Sequence, residues 1–278
     1  MTPFPAEAEQ AFMSAVETIT AEEILPRFRR LDPDEIAAKS RPDDLVTIAD
    51  TRSEARLEEV IAAILPDAVT LGEEAESKGR IPITAAAEHP LVVIVDPVDG
   101  TWNFANGIAC FGVIVAVAHE GQTLWGGIYD PMGDDWVTAR RGAGAWFRAK
   151  ARAPVQLSAR GGPTSFGAAH GFAPTFLFDG AARQGIIDTL AHVRRLNNVG
   201  CSAHEYRTVA QGSVDFILTA RLNPWDHAAG ALIVEEAGGI ARLLDGRAYA
   251  PTVTEGHLLT ARNEALWAAA AERYAFLI

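Results

Sequence analysis

A chain of 278 residues, 49% hydrophobic and 22% charged, can bury a core of ordinary globular proportions as one large domain or two packed subdomains. Its formal net charge of −12, with no Lys/Arg cluster, argues against nucleic acid as a bulk partner, because a phosphate-backbone binder needs a basic face. No apolar run approaches a membrane span, no basic-then-apolar leader opens the chain, and Cys110 and Cys201 show no metal-ligand or disulfide spacing; the reading is a soluble, cytoplasmic protein with buried free thiols.

In chain order, Phe12, Val16, Ile19, Ile24, Leu25 and Phe28 recur at helical spacing and predict a packing helix over about 4–31. Lys39 to Asp44 is polar, carries Pro42 and reads as a mobile loop. Leu45 to Ala49 then reads as a short strand ending on Asp50. Thr51 with Glu54 is a capping-box pattern for a helix that presents Leu57, Val60, Ile61, Ile64 and Leu65. Val69–Leu71 is a short strand leading into Gly72-Glu-Glu-Ala-Glu76, where three carboxylates follow a glycine, and Ser77 to His89 reads as a disordered connector.

Leu91 to Val95 is a β-branched apolar run, a buried strand, which Pro97 should stop. Asp96 and Asp99 therefore stand at the lip of a buried strand with the Val98 carbonyl between them. The amides of Gly100, Thr101 and Trp102 follow, opening a short helix. Oxygen ligands suit a hard cation such as magnesium, and bare amides at a helix start suit a phosphate.

From 111 to 147, short strands with intervening turns predict an antiparallel sheet, and Pro154 to Pro163 reads as a linker. Beyond it, strands near 165–169, up to 199, 214–219, 240–244 and 258–261 alternate with helices at about 181–191, from Ser202, 226–237 and 264–275. Ser202 with Glu205 repeats the capping-box pattern. This alternation predicts an α/β layer, dividing the chain into 1–155, with the antiparallel sheet and most candidate ligands, and 156–278, supplying Asp226 and a substrate-side wall.

Asp226 opens a helix in Asn223-Pro-Trp-Asp-His-Ala-Ala-Gly230; Trp225 reads as core, and His227, without an evident partner, as structural. Glu73, Asp96, Asp99 and Asp226 are acids that could converge. Two like charges ~4 Å apart cost about 4 kcal/mol at an effective dielectric of ~20, so four in one pocket require cations or protonation. Two magnesium ions match the carboxylate count. Thr101 could orient a water if Asp50 accepts its hydroxyl proton.

Gly72-Glu-Glu74, Asp96-Pro-Val-Asp-Gly-Thr101, Trp225-Asp-His-Ala-Ala-Gly230 and Glu236-Ala-Gly-Gly239 resemble, in order, the motifs of the inositol monophosphatase family of magnesium-dependent, lithium-sensitive phosphatases. The stretch 39–50 resembles the family's mobile loop and following strand. The resemblance implies a layered α-β-α-β-α fold, usually a homodimer, acting on a small phosphorylated substrate. It implies that Glu73, Asp96 and the Val98 carbonyl hold one magnesium ion, that Asp96, Asp99 and Asp226 hold a second, and that Glu73 with water near Lys39 forms a third, weaker site. Asp50 and Thr101 would activate water, with Glu73 counted in the same catalytic set, and the Gly100 and Thr101 amides would hold phosphate. Gly200 and the helix start after it match the substrate-side wall.

One departure concerns specificity. Where the family's inositol phosphatases place a glutamate shortly before the Trp-Asp motif, this chain has Thr219, with Arg221 nearby. Arg221 either meets a second anionic group or is solvated. Histidinol phosphate, fructose 1,6-bisphosphate and 3′-phosphoadenosine 5′-phosphate are therefore alternative substrates to inositol 1-phosphate. A regulatory protein on the same fold is the reading from another class.

Overall fold

In the computed structural model, which describes residues 4–278, the N-terminal amphipathic segment is helix α1 (Ala6–Ile19), with Phe12, Val16 and Ile19 buried. It does not run on to Leu31. The chain widens into a π turn at Thr20–Ile24 and tightens into a 3-10 turn at Leu25–Arg27, where Pro26 lacks a helical donor. Strands β1 (Ile36–Ala38) and β2 (Leu45–Thr47) form an antiparallel hairpin. Helix α2 (Ile48–Ile64) starts earlier than expected. Its capping box is Thr47 with Asp50, not Thr51 with Glu54, so the last two residues of the expected strand become its first turn.

Strand β3 (Val69–Gly72) leads into a short helix α3 (Glu73–Ser77). The 77–89 connector contains helix α4 (Ala85–Glu88), whose Ala85 and Ala86 are buried; small apolar side chains hold it against the sheet. Next come β4 (Leu91–Asp99), helix α5 (Thr101–Ala105), and strands β5 (Gly112–His119), β6 (Gln122–Asp130), β7 (Asp135–Arg140), β8 (Ala145–Ala149) and β9 (Val155–Gln156). β9 lies inside the expected linker and forms a sheet edge. In place of a strand at 165–169 there is a 3-10 turn, Phe166–Ala168, because Phe166 and Ala169, three apart, are buried together beneath Tyr274. The remainder is β10 (His170–Phe172), α6 (Gly180–Thr189), β11 (Arg195–Asn197), α7 (Ser202–Ala210), β12 (Phe216–Thr219), α8 (Pro224–Glu236), β13 (Ile240–Leu243), β14 (Leu258–Ala261) and α9 (Glu264–Arg273).

A seven-stranded sheet has the order β3-β4-β5-β6-β7-β8-β9, with β3 parallel to β4 and the rest antiparallel. A five-stranded sheet has the order β11-β10-β12-β14-β13, with β10 parallel to both neighbours. Three clusters define the layering. Phe12, Val16, Leu57 and Ile61 of α1 and α2 pack on Val93, Val95, Val113 and Val115. The opposite face, Val92, Ile94, Ile114 and Ala116, packs on Tyr206, Val209, Ala229 and Leu232 of α7 and α8, whose far side meets Phe172 and Ile217. Outside the second sheet, Phe216, Leu218, Leu259 and Ala261 are covered by Ile186, Leu266, Trp267 and Ala270 of α6 and α9. The result is a five-layered α-β-α-β-α sandwich, which buries both faces of each sheet. Gly230 permits the middle layer: a Cβ there would fall 2.1 Å from the Tyr206 ring.

Candidate active site

Alternation along β4 assigns Val92 and Ile94 to the α7/α8 face, and Asp96 continues that row. Asp99, three positions on, would point the other way in a regular strand. Pro97 does not end the strand as expected; it sits where the register against β5 slips. Asp96 pairs with Ile114 and Asp99 with Gly112, three steps against two. The extra residue is a bulge, which a residue without an N–H tolerates. It returns Asp99 to the face of Asp96. Gly100 follows at φ 87°, where an added Cβ would meet the Cys110 carbonyl at 2.9 Å, and α5 opens at Thr101.

The Thr101 hydroxyl lies 3.0 Å from Asp50 Oδ1 and 3.0 Å from the Val98 carbonyl. Asp50 is buried, and its other oxygen accepts the Thr47 amide (2.8 Å) and hydroxyl. Glu73 follows Gly72, which pairs in parallel register with Val95, so Glu73 arrives beside Asp96. Asp226 sits in the first turn of α8, capped by Asn223 Nδ2 at 3.1 Å. One carboxylate oxygen from each of Asp96, Asp99 and Asp226 lies within 4.8 Å of the other two. Lys39 reaches across from the hairpin, its Nζ 2.7 Å from Glu73 Oε1 and also paired with Glu74.

Lys39, Glu73, Asp96, Asp99, Gly100, Thr101, Gly200, Thr219, Arg221 and Asp226 line one cavity of about 680 Å³; Asp50 and Val98 stand behind Thr101. The structure thus gathers the candidate ligand, water-activating and substrate-side residues around one cavity, with Glu73 beside but not within the close cluster of Asp96, Asp99 and Asp226.

Burial raises the Asp96 carboxyl well above the usual range, and Glu73, Asp99 and Asp226 raise it further. Asp226 rises for the same reasons, burial first and then Glu73 and Asp99. Asp99 rises by burial, offset by the Cys201 thiol and the Ala203 amide, which donate to its Oδ2 at 3.0 and 2.6 Å. Asp50 is pushed up to about 7, mainly by burial. Burial would lower Lys39, but Glu73 and Glu74 outweigh it and raise the ammonium. Three crowded carboxyls whose charged forms burial and mutual repulsion disfavour are an all-oxygen donor set that a hard divalent cation would relieve. The donor set fits magnesium.

Several contributors were not legible in the sequence. Glu54, buried in α2, caps α3 by accepting the Glu74 and Ala75 amides at 2.8 and 2.7 Å, and so fixes where Glu73 begins. Glu205 does not close a box with Ser202, because the N-cap of α7 is Cys201. Its carboxyl instead lines the cavity, pushed up to about 8 by burial and by Asp99, among others. Trp102 and Phe176 stand exposed at the cavity wall. His227 is buried between Tyr206 Oη (3.1 Å from Nδ1) and the Arg221 carbonyl; burial lowers it to about 4. A carbonyl can only accept, so Nε2 carries the proton and Nδ1 accepts from Tyr206. Its role is to hold the loop between β12 and α8, and Trp225 is core, as expected.

The sequence model of the inositol monophosphatase family matches residues 6–275. Among curated relatives, the inositol-1-monophosphatase of Bacillus subtilis is 30% identical over 241 residues, 86% of each chain. The Nus factor SuhB of Pasteurella multocida is 33% identical over 84% of each. A Thermotoga maritima protein named fructose-1,6-bisphosphatase/inositol-1-monophosphatase is 30% identical over 77% of each. In fold, the Thermotoga maritima IMPase aligns with a TM-score of 0.78 over 95% of both chains at 23% identity. With its layered fold, its acidic cavity and a family match spanning nearly its whole length, this chain belongs to the inositol monophosphatase family.

Proposed function

We propose that the chain is a magnesium-dependent phosphomonoesterase that hydrolyses a small alcohol or sugar phosphate, with an inositol-1-phosphate-like substrate as the leading class. The observation that carries this reading is the convergence of Asp96, Asp99 and Asp226 within 4.8 Å, beside a threonine hydroxyl hydrogen-bonded to a buried aspartate. Glu73, Asp96, the Val98 carbonyl, Asp99 and Asp226 would hold two magnesium ions, with a third near Glu73 and Lys39. Bound there, the cations would supply the positive charge that admits a phosphate dianion to an acidic cavity and activates water. The Gly100 and Thr101 amides, at the start of α5, would hold phosphoryl oxygens. Thr101 would receive the proton of the attacking water on its hydroxyl oxygen while donating its own to Asp50, and Asp50, fixed by two bonds from Thr47, would orient the hydroxyl. Thr219, Arg221, Gly200 and Glu205 would face the alcohol portion. In this reading the protein works in the cytoplasm as a homodimer, without nucleic acid or a membrane.

Two relatives favour wider outcomes. The bisphosphatase name of one and the Nus factor name of another keep a bisphosphate substrate and a regulatory role in view, and Arg221 at the cavity supports a second anionic group. The test is phosphate release from inositol 1-phosphate, histidinol phosphate, fructose 1,6-bisphosphate and 3′-phosphoadenosine 5′-phosphate, with magnesium and with EDTA. Asp96→Asn should abolish turnover while leaving the circular dichroism spectrum unchanged. Magnesium-dependent activity retained in that variant would overturn the ligand assignment, and no activity on any substrate by the folded wild type would favour the regulatory role.

A further inference from the structure

The sequence shows two cysteines without metal-ligand spacing; the fold brings them together. Cys110 precedes β5, and Cys201 is the N-cap of α7. Their sulfurs and a ring nitrogen of His204, in the first turn of α7, all lie within 4.8 Å of one another. Both thiols are free, Cys201 buried and Cys110 half-buried, so one side of the cluster is open to solvent. Asn103 ties the two segments together: its Nδ2 donates to the Cys110 carbonyl at 2.9 Å and to the Val199 carbonyl at 2.8 Å. His204 Nε2 lies 3.1 Å from the Phe111 carbonyl, an acceptor only, so Nε2 is protonated and the lone pair is on Nδ1. Proteins commonly fix a metal-binding imidazole through a hydrogen bond from one ring nitrogen to a carbonyl, leaving the other free to ligate.

We infer that Cys110, Cys201 and His204 form a binding site for a soft divalent cation such as zinc or cadmium, separate in ligand chemistry from the oxygen-lined cavity and joined to it through Asp99. Two sulfurs and one imidazole select thiophilic ions over magnesium, and three protein ligands leave a fourth position. Asp99 Oδ2 is 3.0 Å from the Cys201 sulfur, close enough to be drawn into that position. Binding forms two metal–sulfur bonds and one metal–nitrogen bond and releases both thiol protons to solvent. The S–H that Cys201 donates to Asp99 is then gone. Where Asp99 joins the soft ion as its fourth ligand, its service to the magnesium centre ends. A soft ion at this site would therefore inhibit the phosphatase without competing for its other carboxylates. That consequence rests on the function proposed above; the binding itself does not.

The experiment is a cadmium titration of the full chain, kept reduced with a phosphine, in saturating magnesium. Ultraviolet thiolate-to-cadmium absorption should saturate at one equivalent, with release of about two protons. Cys110→Ser, whose sulfur is hydrogen-bonded to the Val199 carbonyl and to no magnesium ligand, should keep magnesium-dependent activity, lose about half of that absorption, bind cadmium at least ~10-fold more weakly and escape inhibition by stoichiometric zinc. His204→Gln should weaken binding similarly while keeping both thiolate bonds. Cadmium binding without a thiolate band, or wild-type affinity in both variants, would overturn the site. Thiolate binding that leaves turnover untouched would overturn the link through Asp99 alone.

Discussion

Thr101 has one hydroxyl proton and two acceptors at equal distance, the Asp50 carboxylate and the Val98 carbonyl. An ionised carboxylate is the stronger acceptor, so charge decides the direction of the bond and leaves a lone pair of Thr101 facing the cavity. Thr101→Val keeps the side chain's volume and the backbone amide but removes that oxygen. It should lower kcat by ~10²- to 10⁴-fold, the usual worth of positioned proton transfer, while the thermal midpoint changes little. A loss below ~10-fold would mean that Thr101 takes no part in moving the proton. Asp50 also illustrates how far pattern reading reaches. Its residue type and its place between a strand and a helix were visible, as was its pairing with Thr101. In the structure it does two things, one oxygen capping α2 and the other holding Thr101.

At the scale of elements, the short helix α3 owes its position to a residue in another helix. Glu54 satisfies two amides at its N-terminus, and Gly72 leaves room for the carboxylate, which an added Cβ would meet at 2.4 Å. Glu54→Ala should cost about 1–3 kcal/mol in urea unfolding, because it leaves buried donors unpaired. It should also weaken magnesium activation, because Glu73 loses its fixed starting point; Glu54→Gln, which can still accept one amide, should fall between. An unchanged magnesium requirement in Glu54→Ala would show that α3 holds itself. This long-range cap explains a misreading. Thr51 and Glu54 fit a local capping box, but Thr47 and Asp50 satisfy the same pattern four residues earlier, and tertiary structure chose between them. The strands between 91 and 147, the α/β alternation beyond them and the acidic motifs were legible because they rest on period and composition. The bulge at Pro97 was not. Nothing local distinguishes a proline that ends a strand from one that shifts its register, and only the pairing of Asp99 with Gly112 shows which occurred. The cysteine cluster was illegible for the same reason: its members meet only once α7 packs beside β5.

The molecule as a whole gathers carboxyls in places that favour their neutral forms. Asp50, Glu54 and Glu205 are all raised, to about 7, 7 and 8, with burial as the leading cause. Between about pH 4.5 and 8 the unfolded chain has released protons that the folded chain keeps, so in EDTA stability is greatest at the acid end of that window and falls as pH rises through it. Scanning calorimetry should show the metal-free midpoint dropping over that range in wild type, less steeply in Glu205→Gln, and recovering at pH 8 on addition of magnesium. A metal-free midpoint that rises with pH there would contradict the burial of these groups. The five layers have a further consequence, in time rather than in space. Helix α8 is thirteen residues long with ten of them buried, and it lies between the two sheets while carrying Asp226 at its start. A ribosome delivers it only after Glu73, Asp96 and Asp99 have long emerged. Until then the half-made protein has an uncovered sheet face and an incomplete acidic centre. On the function proposed above, the nascent chain would have no complete site during synthesis, and the same closing step that hides its stickiest surface would complete its chemistry.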